Sequence, residues 1–288
     1  MNVSRIPDKE IHASGLQARS NPLLSKSSRA VTAAGQITAY AALQLDSQYR
    51  THVFSVLIVG NYARLLRWDR SGAIFTAPIY YCDDSALFDF FTRYDEASRA
   101  MRGHDETVRK ASSEETQRAI AADIGFCNQE LLVATVPREG ESHPREYIIR
   151  PPVARPYTPP GRATRTSIAY DLERNRVVFF KDSWRVNLEG LMKEGDVYAI
   201  LNKEDVPNVA RCSAYGDIDD HITYTHQYVK ASWVLKSQVT CGFAPHTHCR
   251  LILDDIGERL ETFKRSKDAV TAVRAALEGA YLTLPTYL

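Results

Sequence analysis

The sequence lacks any apolar run long enough to cross a bilayer: its longest aliphatic-rich stretch, Val53–Val59, falls far short of the about 20 residues that a spanning helix needs. The amino-terminal segment MNVSRIPDKE has no apolar leader core, so neither membrane insertion nor secretion is expected. An excess of charge is also missing. Lys plus Arg number 36 against 35 Asp plus Glu, a formal charge of +1, which excludes whole-protein attraction to nucleic acid or to a membrane surface and confines any basic site to a local patch. Cysteines are few: Cys82, Cys127, Cys212, Cys241 and Cys249 are odd in number, widely spaced, and sit in a chain too long to need a disulfide framework. An intracellular, reduced protein of the cytoplasm or nucleus is therefore expected. No internal repeat signals a solenoid or propeller.

What is present suffices for folding. A chain of 288 residues, with 44% hydrophobic and 10% aromatic residues, can bury a real core and is long enough for two modest domains. Residues 1–26 are polar and broken by Pro7, Gly15 and Pro22, and read as a disordered arm. Residues 27–50 are alanine-rich and read as a helix. Three strand-like runs follow, 52–59, 62–68 and 73–80, separated by Gly60-Asn61 and by the turn Asp69-Arg70-Ser71-Gly72, giving an antiparallel meander. Leu87, Phe88, Phe91, Tyr94 and Met101 then recur at helical spacing up to Gly103. Ser112 with Glu115 forms a capping box for a further helix closing at Gly125. Runs 130–136 and 146–149 read as strands. Seven of the 13 prolines lie between Pro137 and Pro160, a density that resists helix and central strand, so residues 137–160 read as a Pro-rich linker. It separates an α+β domain, 27–136, from a second unit, 161–288.

The second unit carries the chemistry. Strand runs 166–171 and 176–181 are joined by the turn Leu172-Glu173-Arg174-Asn175, and the second ends Val177-Val178-Phe179-Phe180-Lys181. Both faces of that strand are apolar, and period-two alternation sets Lys181 on the face of Val177 and Phe179. A lysine at the end of a buried strand needs an anionic partner. With Asn187 as cap, a helical wheel over 188–201 puts Leu191, Glu194, Val197, Tyr198 and Leu201 on one face, so Glu194 interrupts an apolar stripe. An internal Lys181–Glu194 ion pair that nucleotide phosphates could join is the expectation.

These features resemble the fungal-type protein kinases, which carry the protein-kinase fold behind an extra N-terminal domain. The resemblance rests on Gly35-Gln36 with Tyr40, on Arg50-Thr51-His52-Val53-Phe54-Ser55-Val56, on Arg67-Trp68-Asp69-Arg70-Ser71-Gly72, on Gly161-Arg162-Ala163-Thr164-Arg165 and on Lys181-Asp182-Ser183-Trp184-Arg185. It runs from about residue 27 to about residue 279. It implies an α+β architecture, with a helix-plus-meander domain followed by a kinase-like small lobe and the start of the large lobe.

The resemblance also implies roles. Lys181 is similar to the strand lysine that holds the α and β phosphates, and Glu194 to its helix partner. Gly161, Arg162 and Thr164 stand in the place of the glycine-rich loop, although Ala163 and Thr166 occupy the second and third glycine positions. Leu253 and Asp254 lie within the run Arg250-Leu251-Ile252-Leu253-Asp254-Asp255-Ile256-Gly257, which resembles the fifth strand and hinge where backbone would meet adenine. Phe179 replaces a small residue and would intrude on the base. ATP with Mg²⁺ is thus the implied ligand, and Ser/Thr phosphorylation the family activity.

Phosphoryl transfer, however, needs an H-R-D-x-x-x-x-N segment and a D-F-G segment beyond the hinge, and neither occurs. Asp255-Ile256-Gly257 and Asp123-Ile124-Gly125 are decoys by position. The helix-like run 266–279 precedes nine residues, 280–288, that do not resemble the family. The expectation is an inactive kinase-like protein, with a non-catalytic interaction or scaffold module and a truncated gene product as the alternatives. A small lobe without its large partner would expose apolar surface for a protein partner or self-association.

Three further readings carry less weight. The spacing of Cys241, His246, His248 and Cys249 matches no closed zinc pattern, so no metal site is assigned. Six arginines from Arg138 to Arg165 are diluted by Glu139, Glu141 and Glu146, which argues against nucleic acid. The helix and meander are similar to restriction-type nucleases, but no strand carries the E-x-K or Q-x-K that their metal chemistry requires. Trp68 and Asp69 read instead as a packed aromatic and a turn residue.

Overall fold

The computed structural model describes residues 28–122, 130–152, 158–233, 243–258 and 260–283. The expected arm, and Gly125 with its D-I-G decoy, lie outside these. The alanine-rich run forms α1, Ser28–Ser47, and lays Ile37, Ala41 and Leu45 on Val53, Leu66 and Trp68 of a four-stranded sheet. That sheet is β1, Val53–Val59, β2, Tyr62–Asp69, β3, Gly72–Phe75, and β4, Ile79–Tyr80. β2 is central, with β1 on one side and both β3 and β4 on the other. The third expected strand is thus broken in two, because Thr76 turns its Oγ1 toward the Leu65 N–H and its carbonyl toward Arg64, and Pro78 cannot donate to a ladder.

The aromatic run forms α2, Ala86–Glu96, which covers the other face: Phe54 meets Phe90 and Tyr94 edge-on at 5.8 and 5.9 Å. The helix stops seven residues before Gly103. Gly103 belongs instead to a turn held by Arg50-Thr51-His52: Arg50 Nη1 donates to the Arg102 carbonyl at 2.9 Å, Thr51 N to Gly103 O at 2.9 Å, and His52 Nε2 meets Met101 O at 3.1 Å. Burial is the main force holding His52 neutral, bringing its pKa down to about 4, so the ring can donate from Nε2.

The second sheet has seven antiparallel strands in the order β10-β11-β9-β8-β7-β6-β5. In chain order these are β5, Val108–Lys110, β6, Leu132–Val136, β7, Arg145–Ile149, β8, Arg165–Asp171, β9, Arg176–Val186, β10, Cys212–Ile222, and β11, His246–Leu253. The expected Pro-rich linker is therefore corrected: β7 lies within it and forms the inner rungs of the sheet, and β5 and β6, assigned to the first domain, belong here as well. Among the described residues, the prolines of this stretch, Pro137, Pro144, Pro151, Pro152, Pro159 and Pro160, all lie outside β7, whose Tyr147, Ile148 and Ile149 are fully buried on both faces. Proline density averaged over 24 residues made a linker of a stretch whose 146–149 run is a sheet strand.

The sheet curls until Glu139 N, just past β6, donates to Tyr215 O of β10 at 3.1 Å. Ala134, Val136, Tyr147, Ile149, Ala169, Val178, Phe180, Ala214 and Ile252 fill the inside of the curl. Outside, α3, Ser113–Ala121, starts on the capping box of Ser112 and Glu115 and rests Ala119 on Ile148 and Tyr170. α4, Glu194–Lys203, covers the other end of the outer face, and α5, Ser266–Thr283, follows the last strand. The expected cap at Asn187 is also corrected. β9 runs on to Val186, Asn187 Nδ2 bonds Thr247 Oγ1 at 3.0 Å, and Gly190, at φ +82°, turns the chain before α4 begins.

Gly103 sits at φ +88°, and a Cβ there would lie 2.0 Å from the His52 carbonyl oxygen. Backbone cannot yield as a side-chain tip does. Gly103→Ala is expected to cost about 1–3 kcal/mol in urea unfolding; an unchanged midpoint would show that this turn is not locked to His52.

Candidate functional site

Alternation along β9 divides its side chains cleanly. Val178, Phe180, Asp182 and Trp184 point inward and are buried, while Val177, Phe179, Lys181 and Arg185 point outward and are half-buried. Lys181 is flanked by Thr166 on β8 and Leu251 on β11, so its Cα is fixed from both sides. α4 crosses just above it. Gly195 makes that approach possible, because a Cβ there would lie 1.9 Å from the ring of Tyr215.

Glu194, in the first turn of α4, accepts from Lys181 Nζ at 2.5 Å through Oε1, and its Oε2 lies 3.4 Å from Arg162 Nη2. The Lys181 and Glu194 side chains are 19% and 34% exposed, sheltered from full screening yet open to a ligand. Beyond them Arg185 forks Asp217 at 2.8 and 2.7 Å, and Lys193 Nζ lies 3.6 Å from the same carboxylate and 3.3 Å from Glu139. Partial burial pushes the Asp217 pKa up, but the Arg185 and Lys193 contacts outweigh it and hold the carboxyl below its ordinary range. These groups surround a cleft of about 480 Å³ with Leu191, Met192 and Cys249.

Of the residues expected from the sequence, the structure brings Lys181, Glu194 and Arg162 to one cleft. Glu194 arrives there from the helix start rather than from the middle of an apolar stripe. Gly161 and Thr164 do not line it. Gly161, at φ +120°, donates its N–H to Arg70 O at 2.9 Å, and Thr164 faces a second cavity with Tyr49, Arg70, Ala163 and Phe180. Leu253 lies opposite Phe179, two rungs from Lys181, on the same outer face. Asp254 is committed elsewhere, with its carboxylate bridged to Arg176 and its N–H donated to Arg211 O at 2.7 Å.

Behind Lys181, on the inner face, lies a charge cluster that the motifs do not reveal. Arg250 is fully buried and donates to Asp182 Oδ2 at 2.9 Å, Asp105 Oδ2 at 2.6 Å, Thr107 Oγ1 at 2.8 Å and Thr135 O at 2.7 Å. Burial pushes both carboxyl pKa values up, yet His248 and Arg250 beside Asp182, and Arg250 and His248 beside Asp105, hold them well below the carboxylate range. His248 Nε2 completes the set 2.8 Å from Asp182. A signal was available: Asp182 follows Lys181, so alternation turns it inward, where a carboxylate demands a cation.

Asp105, His221 and His248 bring three candidate metal-ligand atoms within 4.8 Å of one another. The two imidazoles are parallel to within 3°, with Nδ1 atoms 3.1 Å apart and centroids 5.4 Å apart. That excess is about two ring radii, so the nitrogens face head-on in one plane. Lone pairs so aimed do not converge on a third point, and the contact is an N–H···N bond rather than a coordination site. The Cys-His-His-Cys grouping of the sequence is dispersed: His246 Nδ1 meets Ala244 O at 3.0 Å, Cys249 sits beside Ser183 on the outer side, and Cys241 lies outside the described residues.

A family model described as fungal protein kinase matches residues 20–284. No curated protein matches. No solved structure does either. Gly195→Ala should push α4 off Tyr215 and cost about 1–3 kcal/mol of stability. Unaltered thermal unfolding would show that the helix is not seated there.

Proposed function

The chain belongs to the fungal protein kinase family, and on that footing we propose that the cleft around Lys181 and Glu194 binds the polyphosphate of ATP carried with Mg²⁺. The observation behind this reading is the 2.5 Å Lys181–Glu194 contact in a cleft whose walls also carry Arg162, Arg185 and Lys193. Arg185 is paired with Asp217, and Lys193 is shared between Asp217 and Glu139, so the donors left for an anion are the remaining N–H groups of Lys181 and Arg162. Lys181 has three N–H donors and commits one to Glu194, which orients the ammonium and leaves it able to donate to phosphate oxygens. Arg162 can reach the same oxygens from the loop side. Glu194 and Asp217 are already held by cations, so neither is a dedicated Mg²⁺ ligand; the ion would supply charge neutralisation between phosphate oxygens.

The base would lie toward Leu253 and against Phe179. With the Asp254 N–H already spent on Arg211, that contact rests on apolar packing more than on hydrogen bonding, and the choice of base is correspondingly loose.

Phosphoryl transfer to a Ser or Thr hydroxyl needs an aspartate to orient the hydroxyl and further ligands for Mg²⁺, and these 288 residues contain no H-R-D or D-F-G segment in that place. For these residues alone the reading is nucleotide binding without transfer. A second reading, a docking module, is favoured by α5, where Val270, Val273, Leu277 and Tyr281 form an exposed apolar stripe at helical spacing.

A thermal-shift titration with Mg-ATP separates the two. Saturation should raise the wild-type midpoint by about 2–4 °C per kcal/mol of binding linkage, and Lys181→Ala should abolish the shift. An equal response in both proteins, or none in either, would leave only the docking reading.

A further inference from the structure

Hairpin turns normally face solvent, but the Asp69-Arg70-Ser71-Gly72 turn between β2 and β3 is buried at all four residues, with Arg70 only 1% exposed. Its contacts explain this. Asp69 Oδ2 accepts the N–H groups of Tyr224 and Thr225 at 2.8 and 2.9 Å, and Ser71 Oγ lies 2.6 Å from Thr223 Oγ1. Gly72 packs where a Cβ would meet the Phe243 ring at 2.7 Å. The meander tip is thus wedged against the second sheet.

Arg70 turns the wedge toward the cleft. Its Nη2 donates to Asp46 Oδ1 at 3.0 Å and to Leu45 O at 3.2 Å, at the end of α1, and Asp46 is the carboxylate that offsets its buried charge. Nη1 donates to Pro159 O at 3.0 Å, and the Arg70 carbonyl accepts from Gly161 N at 2.9 Å. One residue therefore grips the segment leading into β8 at two points, three residues before Arg162 and directly beside it. The far side of Arg162 is pinned as well, because its carbonyl accepts from Trp184 N at 2.8 Å. Arg165 repeats the pattern, with Nη2 donating to Leu45 O and, at 3.1 Å, to Gln48 O.

We propose that Arg70 is a positioning residue for the phosphate cleft: through it the N-terminal helix and meander hold the 159–162 segment, and so set where Arg162 stands relative to Lys181. This rests on the polyphosphate reading of the cleft. A glycine-rich loop holds phosphate with its own backbone, whereas this segment has Ala163, held at φ +42° against its side chain's preference, and Thr166, already committed to β8; an external clamp takes the place of intrinsic loop geometry. Linkage follows, because a ligand that prefers the clamped segment tightens the contact between α1 and the second sheet by the same factor. That gives the N-terminal unit a function, control of cleft affinity from a distance.

Arg70→Lys keeps the buried charge and loses the fork, so it cannot bridge Asp46, Leu45 and Pro159 together. Hydrogen exchange of the 158–164 segment should quicken about tenfold in the ligand-free variant, with β9 and β11 unchanged, and Mg-ATP affinity should fall by a similar factor. Unchanged exchange in that segment would overturn the proposal. Should Arg70→Lys loosen the whole chain, Asp46→Ala decides, since it removes the carboxylate from Nη2 and leaves the Leu45 and Pro159 contacts in place: faster exchange confined to 158–164 supports positioning, and unchanged or chain-wide exchange overturns it. If the wild type does not bind Mg-ATP, the polyphosphate reading fails, while the exchange comparison still decides the clamp.

Discussion

The buried guanidinium of Arg250, held between Asp182 and Asp105, is the constraint on which the rest depends. A charge with no solvent access must be matched by carboxylates at fixed distance, and removing one partner of such a set costs about 3–5 kcal/mol. Asp182 can reach Arg250 only from the inner face of β9, and a slip of one residue in that strand would exchange Asp182 for Lys181. The inner network therefore decides that Lys181 faces outward, opposite Glu194. The outer cleft follows from an inner ion cluster that touches no ligand.

The same network explains why the N-terminal half is needed. Asp105 comes from the turn after α2, and that turn is hung on Arg50, Thr51 and His52, with Asp105 N donating to Tyr49 O at 3.1 Å. Tyr49 is partly buried against the core, and the desolvation of its hydroxyl, with Asp182 nearby, raises its pKa, so it stays neutral. The meander wedge at Asp69 and Arg70 adds a second anchorage from the opposite side. Two sheets of different origin in the chain are joined by polar contacts whose desolvation is repaid only in one relative placement. Fold and cleft are then a single problem.

Much of this was legible in the sequence where the signal is local. The capping box at Ser112, the hairpin at Gly60-Asn61 and the alternation of 177–181 each depend on residues a few positions apart. The 146–149 run was legible as a strand, but its place in the second sheet was not, because the prolines that flank it read as a linker between domains. The α4 wheel extended too far because Leu188, Leu191 and Met192 continue an apolar pattern through the Gly190 turn, although they are exposed there. Glu194 was paired correctly with Lys181 for a partly mistaken reason, since the helix begins at the acid. The Arg250–Asp105 contact spans 145 positions, and no periodicity reports such a pairing. Asp69 reads as a turn residue and is one, but its bonds to Tyr224 and Thr225 are non-local and invisible to turn chemistry.

The central claim is that the inner charge cluster sets the outer pair, and zero-length carbodiimide coupling tests it most directly, because an amide forms only between a lysine and a carboxylate already in contact. Peptide mass spectrometry of the wild type should find Lys181 joined to Glu194. In Asp105→Asn and Arg250→Met, compared at matched folded content by circular dichroism, the yield of that linkage should fall about tenfold as β9 loses its fixed register. An undiminished Lys181–Glu194 linkage in both folded variants would contradict the account.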